Sequence, residues 1–232
     1  MKKKSIVLLS GGLDSAANLA FCKEWDDPIL ALTFDYGQKS SKKEIKAAKS
    51  LADHFSVEHK VIEFDWLGKV GSNALTDENL NPPSIELYQL NDAQITEQTA
   101  KAVWVPNRNG IFIQVGAAFA EALKADQVVV GFNREEAQTF SDNSYEFIRR
   151  SNEALTLSTQ THVRVFSYSV EWDKIEIVKS LLKLSYPFPF EYVWSCYQGA
   201  KEPCMQCESC KRNERAMSII KTGVTQNRDG AK

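Results

Sequence analysis

The strongest constraint on this chain is a junction near its start. Ser10-Gly11-Gly12-Leu13-Asp14-Ser15 follows directly on the apolar run Ile6-Val7-Leu8-Leu9 and opens a stretch, Ala16 to Trp25, that reads as a helix. A strand that turns through paired glycines into a helix start gathers backbone N–H groups and a favourable dipole at one point, with no side chain to hold a polyanion away. The two serines add hydroxyl donors, so Ser10, Gly11, Gly12, Leu13, Asp14 and Ser15 together read as a phosphate cradle. A carboxylate in such a cradle needs a cation between itself and the phosphate, which makes Asp14 a candidate Mg²⁺ ligand. The bland alternative is a glycine turn that binds nothing.

The spacing matches neither the Walker loop nor the dinucleotide fingerprint. It resembles the SGGxDS loop of the ATP pyrophosphatases, which cleave ATP between its α- and β-phosphates and activate a carboxyl or similar oxygen as an adenylate. That resemblance implies ATP as the ligand of the loop.

Short apolar runs, rich in β-branched or aromatic residues and bounded by turn residues, recur at Ser5-Leu9, Ile29-Phe34, Glu58-Phe64, Asp126-Phe132 and Val163-Tyr168. They predict five strands. Between the second and third, Ser40-Phe55 carries Ile45, Ala48, Leu51, Ala52 and Phe55 on one face and lysines mostly away from it, the pattern of an amphipathic helix with a solvated face. Ile111 to Leu123 is apolar and alanine-rich nearly all round and predicts a deeply packed helix. Strands alternating with helices imply an α/β fold: an open parallel five-stranded sheet with helices on both faces and its ligand beyond the carboxyl ends of the strands, near a switch in strand order. Ile6, Val7, Leu8, Ile111, Phe112, Val115, Phe119, Val128, Val129 and Val130 are expected in the core.

The polar segment Leu67-Val105, with Pro82-Pro83 and no strong periodicity, is too long for an ordinary connection and is expected as a lid or excursion over the site. From about Pro187 the composition turns to aromatic, proline and cysteine residues, so residues 1–186 are expected as the α/β domain and 187–232 as a separately stabilised C-terminal module. With 232 residues and 43% hydrophobic content the chain can bury a full core. A formal net charge of −2 gives no global pull toward nucleic acid or anionic membrane. No apolar stretch reaches the roughly 20 residues that span a bilayer, and the run behind Lys2-Lys3-Lys4 is too short for a secretory signal, so a cytoplasmic protein is expected.

Four of the five cysteines, Cys196, Cys204, Cys207 and Cys210, crowd into a C-x7-C-x2-C-x2-C pattern. Four thiolates within reach of one point suit tetrahedral Zn²⁺, and a closed four-sulfur site is structural. An iron–sulfur cluster takes the same ligands, and disulfides between neighbours are the remaining alternative. The run Lys211 to Lys221 is expected as a helix pinned by this knuckle and ending before Gly223. The fifth cysteine, Cys22, is expected to be a small buried hydrophobe.

Three further blocks narrow the resemblance: Thr33-Phe34-Asp35-Tyr36-Gly37-Gln38, Val105-Pro106-Asn107-Arg108-Asn109 and Trp194-Ser195-Cys196-Tyr197. With the loop and the cysteines they resemble, in order and over nearly the whole chain, the 7-cyano-7-deazaguanine synthase family (QueC). The resemblance implies conversion of 7-carboxy-7-deazaguanine, ammonia and ATP to the nitrile through adenylated carboxylate and amide intermediates, and a homodimer. It implies that Phe34 and Tyr36 cover adenine, that Arg108 and Asn109 act at the reacting phosphates, and that Lys174 reaches them as a point charge. The chain departs from the family's glycine-tyrosine-proline-aspartate-cysteine-arginine stretch, reading Gly131-Phe132-Asn133-Arg134-Glu135-Glu136-Ala137-Gln138-Thr139-Phe140-Ser141-Asp142-Asn143 instead. Asn133, Glu136, Phe140 and Asp142 are the candidates to hold a fused purine-like ring there.

The departure motivates a rival within the same chemistry: an adenylating enzyme that stops at the amide or joins the carboxyl to another amine. A tRNA-modifying pyrophosphatase, with the cysteine knuckle on RNA, is a further alternative, opposed by the near-neutral charge. A non-catalytic nucleotide-binding protein on the same fold is the last.

Overall fold

The structure is a computed structural model that describes the backbone of residues 2–226 and the side chains of residues 2–220. Five parallel strands, β1 (Lys4–Leu8), β2 (Asp27–Asp35), β3 (Glu58–Glu63), β4 (Gln127–Val129) and β5 (Arg164–Phe166), form one sheet in the order β3-β2-β1-β4-β5. All five predicted strands are present. The chain winds outward from β1 to β3, then returns to place β4 on the other side of β1. The switch in strand order therefore lies between β1 and β4, where the carboxyl ends of open parallel sheets bind ligands.

Alternation along the strands feeds two cores. Val7 and Val129 face one layer, where they meet α1 (Leu13–Trp25), α2 (Ser41–His54) and α7 (Lys174–Leu181). Ile6, Val128 and Val130 face the other, against α4 (Arg108–Ala122) and α6 (Tyr145–Ser158). Phe188 and Ala216, from the segment expected as a separate module, are buried in the same core as α1. Cys22 is fully buried there, and burial pushes its thiol up to about 11.

The helix expected to be deeply packed all round buries only a stripe. Asn109, Ile113, Gly116, Ala117 and Ala120 are buried on α4, whereas Ile111, Phe112, Val115 and Phe119 are half-buried, as is Leu8 on β1. An outer-layer helix has one face on the sheet, and composition alone does not say which face stays open.

Residues 67–105 are not a structureless lid. They contain short turns and a helix, α3 (Ala93–Ala102), that the periodicity reading missed although Asp92 caps it, its Oδ1 accepting from Gln94 N at 2.9 Å and Ile95 N at 3.2 Å. Ser84 pairs with Cys207 across an isolated bridge, and Ile85 N donates to Gln206 O at 2.9 Å, so the excursion is strapped to the cysteine knuckle. The short α5 (Arg134–Ala137) follows β4. The last helix, α8 (Glu208–Gln226), begins before and runs past the expected limits: Gly223 lies inside it, because a single glycine costs a helix only about 1 kcal/mol.

Candidate active site

The loop after β1 is held from both sides. Gly11 has φ +80°, and a Cβ there would lie 2.8 Å from Glu44 O and from Ala47 Cβ of α2, so only glycine allows the loop to nest on that helix. Its carbonyl accepts Trp194 N at 2.9 Å. Ser15 Oγ donates to Gly12 O at 3.0 Å and accepts Ser10 N at 3.2 Å, which closes the turn around the start of α1. Gly131, at the end of β4, abuts the same helix start; a Cβ there would fall 2.6 Å from Ser15 N. The switch point is thus packed backbone to backbone.

Above the loop is a cavity of about 230 Å³. Ser10, Gly12, Leu13, Asp14, Ser15, Phe34, Tyr36, Arg108, Asn109, Glu136, Phe140 and Lys174 line it. Lys174, the first residue of α7, is 6% exposed, and its Nζ donates to Asp14 Oδ2 and, at 2.8 Å, to Glu136 Oε1. Asp173 fixes the start of that helix by accepting Glu176 N at 2.8 Å. Burial pushes Asp14 up to about 6 despite the ammonium beside it. Burial would lower Lys174, but the two carboxylates hold it above its ordinary value; Glu136, raised by burial, is brought below its ordinary value by Lys174. The other oxygen of Asp14, Oδ1, is buried and has no hydrogen-bond partner among the described residues. An orphaned carboxylate oxygen next to phosphate-loop amides fits a hard cation ligand.

Phe34 stacks on Phe112 at 4.1 Å between ring centroids and forms an apolar wall with it. Arg108 follows Asn107, whose left-handed φ of 54° turns the chain into α4, and its Nη1 donates to Tyr36 Oη at 3.2 Å. Asn109 Nδ2 donates to the Asp142 backbone carbonyl at 3.3 Å. Phe140 faces the cavity with Trp104 stacked at 6.3 Å behind it.

Two of the residues considered for ring binding lie off the cavity wall. Asn133 is fully buried and caps α5, its Oδ1 accepting Glu136 N at 2.9 Å. Asp142 turns aside, and the neighbouring Asn143 lines the cavity instead. The sequence reading also passed over Glu44 and Ser40, which the amphipathic pattern absorbed. The signal was present: Glu44, Ala47, Ala48 and Leu51 share one helical face, so a carboxylate heads a buried stripe. Glu135 and Arg212 carry no comparable local signal.

The four C-terminal cysteine Sγ atoms lie within 4.8 Å of one another. Cys196 Sγ accepts the N–H groups of Gln198 and Cys204, each at 3.3 Å. Sulfur ligands at the usual ~2.3 Å from a tetrahedral metal stand ~3.8 Å apart, close to the 3.9 Å between Cys204 and Cys210 Sγ. Cys204 and Cys210, with Sγ atoms 3.9 Å apart, are far beyond the ~2 Å of a disulfide, and all four thiols are free. Among the described residues, no helix is long and apolar enough to cross a membrane.

A parallel sheet whose first strand runs through SGGLDS into a helix at the switch point defines the chain as a PP-loop protein of the adenine nucleotide α-hydrolase-like class. The solved structure of a 4-thiouridine synthetase–RNA complex with bound ATP shares the fold, with a TM-score of 0.50 over 93% of this chain and 50% of that one at 17% identity. Within the class, the chain belongs to the family described as "Queuosine biosynthesis protein QueC", which matches residues 4–221. It is 50% identical to the 7-cyano-7-deazaguanine synthase of Pelotomaculum thermopropionicum over 92% of this chain and 96% of that one. To the enzyme of the same name from Methanosarcina barkeri it is 43% identical, over 92% of this chain and 93% of the relative.

Proposed function

We propose that this protein is a 7-cyano-7-deazaguanine synthase, an ATP-dependent ligase that converts 7-carboxy-7-deazaguanine and ammonia to the nitrile. Family membership over nearly the whole chain supports the activity, and one observation carries the chemistry: Lys174, Asp14 and Glu136 converge on the mouth of the SGGLDS loop. The substrate carboxylate attacks the α-phosphorus of ATP and pyrophosphate leaves. Ammonia displaces AMP to give the amide; the amide oxygen is adenylated by a second ATP, and loss of AMP with protons leaves the C≡N bond. Both carboxylate oxygens depart on AMP, so the oxygen balance closes.

In this reading the loop amides, Ser10, Ser15 and Lys174 hold the departing pyrophosphate, with donors already in place before charge develops. Asp14 and Glu136 are the residues that would hold Mg²⁺, which neutralises phosphate charge when bound. The Phe34–Phe112 wall takes adenine, and Arg108, fixed by Tyr36, faces the reacting carboxyl. Zn²⁺ fits the four-cysteine site as a structural ion.

Mass spectrometry of the purified protein with 7-carboxy-7-deazaguanine, ATP, Mg²⁺ and ammonium tests the proposal. Nitrile with AMP, lost in Asp14→Ala, is the expected result. AMP with only amide or an amine adduct would establish instead the rival motivated by the divergent residues 135–143.

A further inference from the structure

The cavity straddles the end of the sheet and has two unlike sides. Toward α4 its wall is apolar, built from Phe34, Phe112, Val130 and Phe132. Toward α2, which packs on the opposite face of the sheet, it presents Ser40, Glu44, Trp194 and Ser195. The phosphate loop runs along α2, so both sides open onto the same phosphate site.

Three carboxylates reach this cavity, and they are not equivalent. Asp14 and Glu136 both hold the Lys174 ammonium. Glu44 forms no ion pair among the described residues. Its Oε1 accepts Ser40 Oγ at 2.6 Å and its Oε2 accepts Gln38 Nε2 at 2.9 Å. Gln38 is itself locked, since its Oε1 accepts Tyr36 N at 2.9 Å and its Nε2 also reaches Phe34 O at 3.1 Å. Each Glu44 oxygen therefore spends one lone pair on a neutral neighbour and keeps another. The result is a fixed carboxylate with acceptor capacity left on each oxygen, in a cavity that Trp194 and Tyr36 also line.

We propose that Glu44 is the specificity determinant for the ring, accepting the lactam N–H and the adjacent amino group of a guanine-type base, with the α2 side as the deazapurine subsite and the apolar α4 side as the adenine subsite. This rests on the reaction proposed above. The two edges differ in a way a carboxylate reads directly. A guanine-type edge offers two neighbouring donors, which a fork of two acceptors matches. Adenine sets a ring-nitrogen lone pair beside its amino group, and a carboxylate facing that lone pair leaves a buried acceptor unpaired. The apolar wall asks for no such match and takes adenine by stacking.

The test compares calorimetric binding of 7-deazaguanine and of 7-deazahypoxanthine, which lacks the amino group, to the wild type and to Glu44→Gln. The wild type is expected to prefer 7-deazaguanine by roughly 10- to 100-fold, as expected when a charged hydrogen bond is lost. Glu44→Gln is expected to erase that preference and to raise KM for 7-carboxy-7-deazaguanine by a similar factor, while KM for ATP stays within about twofold. Equal affinity of the wild type for the two rings overturns the proposal. So does a variant in which KM for ATP rises instead, because Glu44 would then hold the nucleotide's ribose. Should Glu44→Gln fail to fold, Ser40→Ala, which frees Oε1, is expected to narrow the preference, and an unchanged preference overturns it. A wild type that selects 7-deazaguanine but forms no nitrile refutes the reaction and leaves Glu44 in place.

Discussion

Arg212 Nη1 donates to Glu135 Oε1 at 2.6 Å, and the two side chains are only 6% and 8% exposed. This buried pair joins α8, the helix rising from the cysteine knuckle, to α5 beneath the cavity. Arg212 also holds Glu208, which accepts Thr99 Oγ1 of α3, and Glu135 Oε2 accepts Lys174 N at 3.3 Å. One helix thereby fixes two walls of the site: the excursion through Thr99, and the Glu136–Lys174 corner through Glu135. In Arg212→Met, Glu135 keeps the Arg215 guanidinium at 2.6 Å, but the buried Glu208 loses its partner, and that stranded charge should cost about 3 kcal/mol in urea unfolding. Arg212→Met/Glu208→Gln, which removes the stranded charge, should recover part of that loss. A single variant within about 0.5 kcal/mol of wild type would show that the bridge does not hold the fold.

Asp14 sets a pH dependence of definite sign. Its carboxyl is pushed up to about 6 by burial, against an ordinary value of 3.8. Between these values the folded chain holds a proton that the unfolded chain has released, so ionising Asp14 costs stability as pH rises through the window. Relative to Asp14→Asn, the wild type should lose stability from about pH 4 to about pH 6 and then hold a constant deficit of about 1–3 kcal/mol. Since cation binding needs the ionised form, kcat/KM for ATP should climb over the same upper range, with its midpoint near 6. A flat profile from about pH 5 to about pH 7 would remove Asp14 from the ionisations that matter.

Metal removal should reach the active site through α8. We expect one Zn²⁺ per chain by native mass spectrometry and no visible absorbance, which an iron–sulfur cluster would show. Stripping the metal with a thiol-directed reagent and a chelator should free the start of α8 and the Ser84–Cys207 bridge, exposing residues 80–92 and 196–210 to protease and abolishing turnover. Full activity in metal-free protein with an unchanged digestion pattern would show that the knuckle is not needed to hold these walls.

Gly131→Ala probes the switch point. The added methyl would lie 2.6 Å from Ser15 N and 2.7 Å from Ser15 Cα, and backbone on both sides leaves little room to yield. The loop must move, so KM for ATP should rise by about tenfold or more at a cost of roughly 1–3 kcal/mol in stability. Equal affinity for ATP in variant and wild type would mean the helix start tolerates displacement.

The elements legible in the sequence were those with a local cause. Val128-Val129-Val130 and Ile29-Phe34 read as strands from their run of apolar residues, and α2 read as a helix from its stripe. The helix α3 was missed because its residues Ala93–Ala102 are mostly polar and only Thr96, Thr99 and Ala100 are buried, so its capping residue, not its periodicity, carried the signal. Glu44 was hidden for the opposite reason, since a strong amphipathic stripe drew attention from the one acid within it.

By itself the sequence determined what short-range chemistry specifies: five strands, the glycine turn between β1 and α1, and four cysteines spaced to close on one point. The family followed from the same residues in order. Only the tertiary structure decided which distant groups meet. Asp14 and Lys174 stand 160 residues apart, and Glu135 and Arg212 77 apart, yet each pair is in direct contact. Such contacts follow from strand order and from how α7 packs on α1 and α8 on α7. That docking is set by the summed burial of many side chains, so it leaves no mark at the residues it brings together.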